Sequence, residues 1–201
     1  VLKTKAPHKW RNYLQGIWRR HQDQPEVAAL YQSKLIIAEQ LLHAWVTAHP
    51  TPKLPVTFDN WYTQPGFCRY LDQTLDLAYV GTLADSDQVL LKSGSQRLAL
   101  FAAHLQEEHW AALKHGKAPI FKLITIHYKG EKERYSSYCA THRVASYGRQ
   151  RLVINYRQAD LTDNPMFLIS NQLHWQAPGI TRIRRHRWPV EVYHEEGKAE
   201  G

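Results

Sequence analysis

The feature that most constrains this chain is a strand–helix–strand order in its second quarter. Leu54-Pro55-Val56-Thr57-Phe58 reads as a short buried strand that stops at Asp59. Pro65 or Gly66 then opens a helical pattern through Phe67, Cys68, Tyr70, Leu71 and Leu75, and Ala78 to Leu83 reads as a second strand. Parallel neighbours cannot be joined by a tight hairpin, so this order predicts a mostly parallel sheet with helical crossovers and places the chain in the α/β class. Asp59 then falls at the carboxyl end of a buried strand, where open α/β sheets bind their ligands. An aspartate before Asn60 also suits a turn cap that accepts nearby backbone hydrogen bonds. Both roles stay open for Asp59 on these grounds.

The surrounding segments extend this frame. Trp10, Tyr13, Ile17 and Trp18 recur at roughly helical spacing within a basic, aromatic stretch over 1–22, a pattern that core packing explains better than a nucleic-acid-facing arm. Pro25 suits a first helical turn, and Val27, Leu30, Ile37, Leu41 and Trp45 predict one helix ending at His49-Pro50-Thr51-Pro52. Asp85 and Asp87 follow the second strand and read as turn residues. Leu98 to Leu113 looks helical. Strand-like runs follow at Phe121–Tyr128, Arg134–Ala140, Arg151–Tyr156 and Met166–Ser170, separated by turn signals such as Lys129-Gly130-Glu131 and Tyr147-Gly148-Arg149. They predict an antiparallel patch set into the α/β core or extending it. Pro178-Gly179 leads into a last helical region, which either begins near Trp188 or runs from Ile180 and bends at Pro189.

Composition narrows the function classes. The 201 residues carry 26 Lys and Arg against 18 Asp and Glu, a net charge of +8 that favours polyanionic partners without specifying a fold. Two cysteines, Cys68 and Cys139, are too few for a disulfide scaffold and have no C-x-x-C spacing. No apolar run approaches membrane-spanning length and no signal-peptide core opens the chain, so a soluble, cytoplasmic protein with no membrane partner is expected. Neither a P-loop nor a G-x-G-x-x-G is present, which disfavours a nucleotide-cofactor enzyme, and the G-x-S-x-G elbow of serine hydrolases is missing as well.

The densest charge lies near the end, where Arg182, Arg184, Arg185 and His186 run into Arg187 and Trp188. If helical, the stretch from there places Glu191 one turn after Arg187 and about two turns before Lys198. A carboxylate flanked by cations beside a positive patch suits work on a phosphate backbone, with arginines neutralising phosphate oxygens. The same pattern also fits a solvated helix decorated with ion pairs. His186 and His194 match no compact zinc spacing. Paired with Asp59, Glu191 would complete two oxygen ligands for Mg²⁺ or Mn²⁺.

Phe58-Asp59-Asn60-Trp61-Tyr62 and the stretch from Arg187-Trp188-Pro189-Val190-Glu191 to Lys198 resemble bacterial insertion-sequence transposases of the DDE type. In that family's Y-x2-R-x3-E-x6-K signature, Arg187, Glu191 and Lys198 occupy the R, E and K positions, and Arg184 stands where the tyrosine belongs. The resemblance implies a partial ribonuclease H-like fold with a β-rich insertion before the catalytic glutamate helix. It makes 1–86 a partial core, 87–177 a helix plus the β-rich insertion, and 178–201 the return to the core; Glu191 lies 132 positions after Asp59, which fits such an insertion.

The resemblance further implies that Asp59, Glu191, Arg187 and Lys198 serve catalysis, with Asp59 and Glu191 as ligands of two metal ions in the intact enzyme. Arg182, Arg184, Arg185, His186, Trp61 and Trp188 would contact DNA. Double-stranded DNA, both element ends and target, would be the partner of a homodimeric, nucleoid-associated enzyme. The family's first catalytic aspartate has no counterpart, since Asp23 is the only aspartate before residue 59 and sits in a polar turn. The chain therefore reads as a fragment whose first catalytic strand lies upstream of Val1, with little strand-transfer activity of its own. An inactive DNA-binding remnant and a metal-dependent ribonuclease H-like nuclease are the alternatives.

Overall fold

The computed structural model describes residues 7–30, 33–51 and 53–186. The chain divides into two compact units, Val1–Ala48 and His49–Gly201. In the first, α1 (Pro7–His21), α2 (Pro25–Leu30) and α3 (Lys34–Ala48) follow one another. The single helix expected over 25–48 is thus interrupted. Ser33 is the local reason: its Oγ accepts the Ile36 amide at 3.2 Å and its carbonyl the Ile37 amide, so it starts a new helix. The apolar residues of α3 are not a core face within this unit, since Ile36, Ile37, Leu41 and Trp45 are all exposed.

The second unit is built on one eight-stranded sheet. Its strands are β1 (Val56–Phe58), β2 (Tyr79–Leu83), β3 (Gln88–Leu91), β4 (Gly94–Arg97), β5 (Lys122–Tyr128), β6 (Glu131–Val144), β7 (Gly148–Tyr156) and β8 (Met166–Ser170). The order is β1-β2-β8-β7-β6-β3-β4, with β5 pairing the first half of β6. Only β1 and β2 among these pairs run parallel; every other pairing is antiparallel. Their crossover is α4 (Pro65–Arg69) continued by a π-helical turn, Tyr70–Thr74, which the Leu75 amide closes on the Tyr70 carbonyl. The parallel pair and its helical connection match the expectation. Beyond it the sheet is antiparallel, so the mostly parallel sheet expected is not formed: short turns join β3 to β4, β5 to β6 and β6 to β7, and only antiparallel neighbours accept such turns.

Alternation along the strands sorts the side chains onto two faces. Phe58, Tyr79, Tyr138, Ile154, Tyr156 and Phe167 face α4 and α5 (Leu98–Lys114), where aromatic rings meet edge to face: Phe101 on Tyr138 at 6.1 Å and Phe121 on Tyr156 at 5.3 Å. Gly81 also points this way, and a Cβ there would stand 2.9 Å from the Phe58 ring, so only glycine fits. Val80, Val153 and Leu168 face the other way, under Ala177 and Ile180 of α6 (Ala177–Arg185). Pro178 occupies the first turn of α6, and Arg151 Nε donates to the Trp175 carbonyl at 2.8 Å, tying the helix entry to β7. Among the described residues no helix is long and apolar enough to cross a membrane.

Candidate functional site at the carboxyl ends of β1 and β2

Asp59 follows the last residue of β1. Its Oδ1 accepts the Trp61 amide at 3.0 Å and the Tyr62 amide at 3.2 Å, and its carbonyl accepts the Thr63 hydroxyl at 2.7 Å. The turn cap foreseen as one of its two roles is therefore formed. It also fixes the carboxyl group at the strand end, leaving Trp61 half exposed with its ring edge against Tyr62. In the parallel register Phe58 lies beside Gly81, which sets Asp59 level with Thr82. Thr57 and Thr82 belong to the α6 face, and continued alternation carries Asp59 to the same side. Thr57 Oγ1 is buried there without a hydrogen-bond partner among the described residues, which costs about 1–3 kcal/mol unless a partner is supplied from elsewhere.

The basic run arrives at this level from α6. Because α6 runs along the direction of β2, from Ile180 beside Val80 to Arg184 on Thr82, its last turn reaches the carboxyl end of that strand. Arg184 Nε donates to Thr82 Oγ1 at 2.8 Å, so the residue at the signature's tyrosine position sits one strand away from Asp59. Arg185 forks onto Glu133 of β6, with Nε at 2.7 Å and Nη2 at 2.6 Å from Oε1, and its guanidinium lies 5.4 Å from the Tyr128 ring centre. His186 packs its ring edge on the same tyrosine at 5.0 Å. Arg182 is exposed on the outer side of the helix. Sequence periodicity gave no sign of the partners of Arg184 and Arg185, which lie 102 and 52 positions away.

Glu133 is shaped by these contacts. Desolvation alone would raise its pKa, but hydrogen bonds from Tyr135 and Arg185, with the charges of Arg185 and Arg157, outweigh it and hold the carboxylate ionised below its ordinary range. Arg187, Trp188, Glu191 and Lys198 lie outside the described residues. Among the described residues no group of three or more His, Cys, Asp or Glu is placed to hold a metal ion. Asp85 and Asp87 serve their turn, with Asp87 Oδ2 accepting the Ala84 amide at 2.8 Å. A hard divalent cation held by Asp59 would need further ligands beyond those the described residues bring together.

No protein-family model matches the chain, and a comparison with curated proteins finds no match.

Proposed function

We propose that this chain is part of the catalytic domain of a DDE-type transposase, acting on double-stranded DNA with Mg²⁺ or Mn²⁺ and built on a partial ribonuclease H-like α/β fold. The observation that carries the reading is the Arg184–Thr82 contact, level with Asp59 and on its face of the sheet. It brings the chain that leads into Arg187, Glu191 and Lys198 to the carboxyl end of β1. In this reading Glu191, which lies outside the described residues, would join Asp59 there, and two such carboxylates make an oxygen-ligand pair suited to such ions. Bound ions of this kind activate a water or a 3′-hydroxyl and stabilise the leaving oxygen of a phosphodiester. In this reading Asp59 is held in place by the Trp61 and Tyr62 amides, Arg187 and Lys198 offset phosphate charge, and Trp61 and Trp188 flank the DNA. The intact enzyme would be a homodimer in the cytoplasm, associated with the nucleoid.

The test is a cleavage and joining assay with element-end DNA, on the longer chain that this reading implies. Asp59→Ala and Glu191→Ala should each abolish both steps while DNA binding survives. Retained cleavage in either variant would sink the proposal, and cleavage without joining in the parent chain would favour a ribonuclease H-like nuclease instead.

A further inference from the structure

A second basic feature lies on the α6 face, and nothing in the Asp59 site explains it. Two clefts, of about 220 and about 270 Å³, adjoin at Tyr135, Arg157 and Arg185. Arg184 lines one of them and Arg134 the other, so four arginines border the pair, from β6, the residue after β7 and α6. Two carboxylates share the space, and both are engaged with the protein. Glu133 takes Arg185 and the Tyr135 hydroxyl, and Asp163 takes the Arg157 and Gln158 amides at 2.8 and 3.0 Å. The cleft remains positive by two charges on this count.

Its floor is rigid. Asn155 and Thr181 line it, both buried, and a chain of bonds runs from Ser137 Oγ to Asn155 Oδ1 at 2.6 Å and from Asn155 Nδ2 to Thr181 Oγ1 at 2.9 Å. The guanidinium of Arg185 is already oriented by its fork on Glu133. Arg134 and Arg157 are exposed at the rim. Pre-oriented arginines over a hydrogen-bonded polar floor, with exposed arginines at the edge, suit a phosphodiester, which presents planar pairs of oxygens to bidentate donors. On the α5 side a groove of about 880 Å³ is lined by Asp85, Glu107 and Asp160 and by no Lys or Arg, and it shares Asp163 with the cleft. A polyanion is therefore admitted on one face and repelled on the other.

We infer that the cleft between α6, β6 and the end of β7 grips the phosphate backbone of a nucleic-acid strand, with Arg134 and Arg157 as its contact residues and Glu133 as a positioning residue for Arg185. The inference rests on the reading of the chain as a DNA-acting protein, but it concerns binding alone and requires no catalysis. It assigns to the β-rich region a share of DNA binding that the sequence placed in Arg182, Arg184, Arg185, His186, Trp61 and Trp188.

The experiment measures binding of the 201-residue chain to a labelled DNA duplex by fluorescence anisotropy across a salt series. Arg134→Gln with Arg157→Gln should make the slope of log K against log salt shallower by about 2. The advantage of the parent chain should then shrink roughly tenfold between about 50 and about 200 mM salt. Lys114→Gln with Lys117→Gln, the same charge change at the far end of α5, should leave the slope within error. Glu133→Gln, which keeps the size of the side chain but not its charge, should weaken binding despite adding positive charge, because Arg185 loses its anchor. Equal slopes for the Arg134/Arg157 variant and the parent, or no binding by the folded parent chain, overturn the inference, as does tighter binding in Glu133→Gln. A failure here leaves the loss of cleavage in Asp59→Ala as a separate question, so the two readings can fail independently.

Discussion

The two faces of this one sheet are packed by the same rules and end in opposite chemistry. The α4–α5 face closes over aromatic rings, with Phe58, Phe101, Tyr138 and Tyr156 packed edge to face and Gly81 leaving space for no side chain at all. The α6 face begins the same way, with Val80, Val153, Leu168 and Ile180 fully buried, and then turns polar toward the carboxyl ends of β2 and β7 through Asn155, Thr181, Thr82 and the arginines. A single helix carries that change along its length. Its first turns bury apolar side chains, and its last turn delivers cations. Burial on one face supports the strand that holds Asp59, and the other face presents charge at the same level.

The largest effects should come from removing bulk on either face, and they separate the faces by what else is lost. Phe101→Ala should cost about 3–5 kcal/mol of unfolding free energy and Ile180→Ala about 2–5 kcal/mol, read as shifts of the denaturant midpoint. Ile180→Ala should also weaken DNA binding by the fraction that stays folded, since it loosens the helix that carries Arg184 and Arg185. Phe101→Ala should not. Equal loss of binding in both variants would erase the distinction between the faces.

A smaller effect tests the polar half of the α6 face alone. Asn155→Ala leaves the Ser137 and Thr181 hydroxyls without their shared partner. The expected cost is about 1–3 kcal/mol, with salt-sensitive DNA binding reduced because the floor of the cleft is disordered. Stability unchanged by this substitution would mean that the network holds nothing in place.

The faces should also separate by pH. On the α5 face burial lowers the pKa of His109, whose Nδ1 accepts the Phe121 amide at 3.1 Å, and of His142, bonded through Nε2 to the Tyr138 hydroxyl at 2.8 Å. A histidine depressed in the folded state contributes stability above its ordinary value of 6.5, and that contribution is lost as pH falls through the lower folded value. On the α6 face Glu133 is depressed as well, so its contribution persists until pH drops below the ordinary 4.5 and through its folded value. Chemical denaturation at successive pH values should show a first decline setting in near 6.5 that disappears in His109→Gln with His142→Gln. A second decline below 4.5 should be reduced in Glu133→Gln. One undivided decline, unchanged in all variants, would contradict the assignment.

These contrasts were only partly legible in the sequence. β8 has the expected limits, Met166 to Ser170, and β1, β2 and α5 fall within a residue or two of theirs, because continuous β-branched or apolar runs leave few alternatives. The hairpin of β3 and β4 was missed: Gly94-Ser95-Gln96-Arg97 is a strand only because it pairs with Gln88 to Leu91, and nothing in its own residues favours one. The capping role of Asp59 was visible as an Asx pattern. That Arg134, Arg157, Arg184 and Arg185 border one pair of adjoining clefts was not, since it follows from sheet register and the direction of α6, which local periodicity does not encode.

The smallest expected effect concerns the one arginine of α6 described as facing away from the sheet. Arg182 is exposed, between the buried Thr181 and the half-buried Ile183, so Arg182→Gln should change stability by no more than about 0.5 kcal/mol. Its charge lies in the last turn of the helix, where a cation offsets the negative end of the dipole, and at an exposed site this falls at the lower end of the range, about 0.3 kcal/mol. If the cleft on the α6 face is the principal grip on DNA, Arg182→Gln should lower the salt slope by about 1 or less, and less than Arg157→Gln does on the same duplex. A larger effect from Arg182 than from Arg157 would move the principal contact from the cleft to the outer side of α6, and the division of labour between the faces would have to be redrawn around the helix itself.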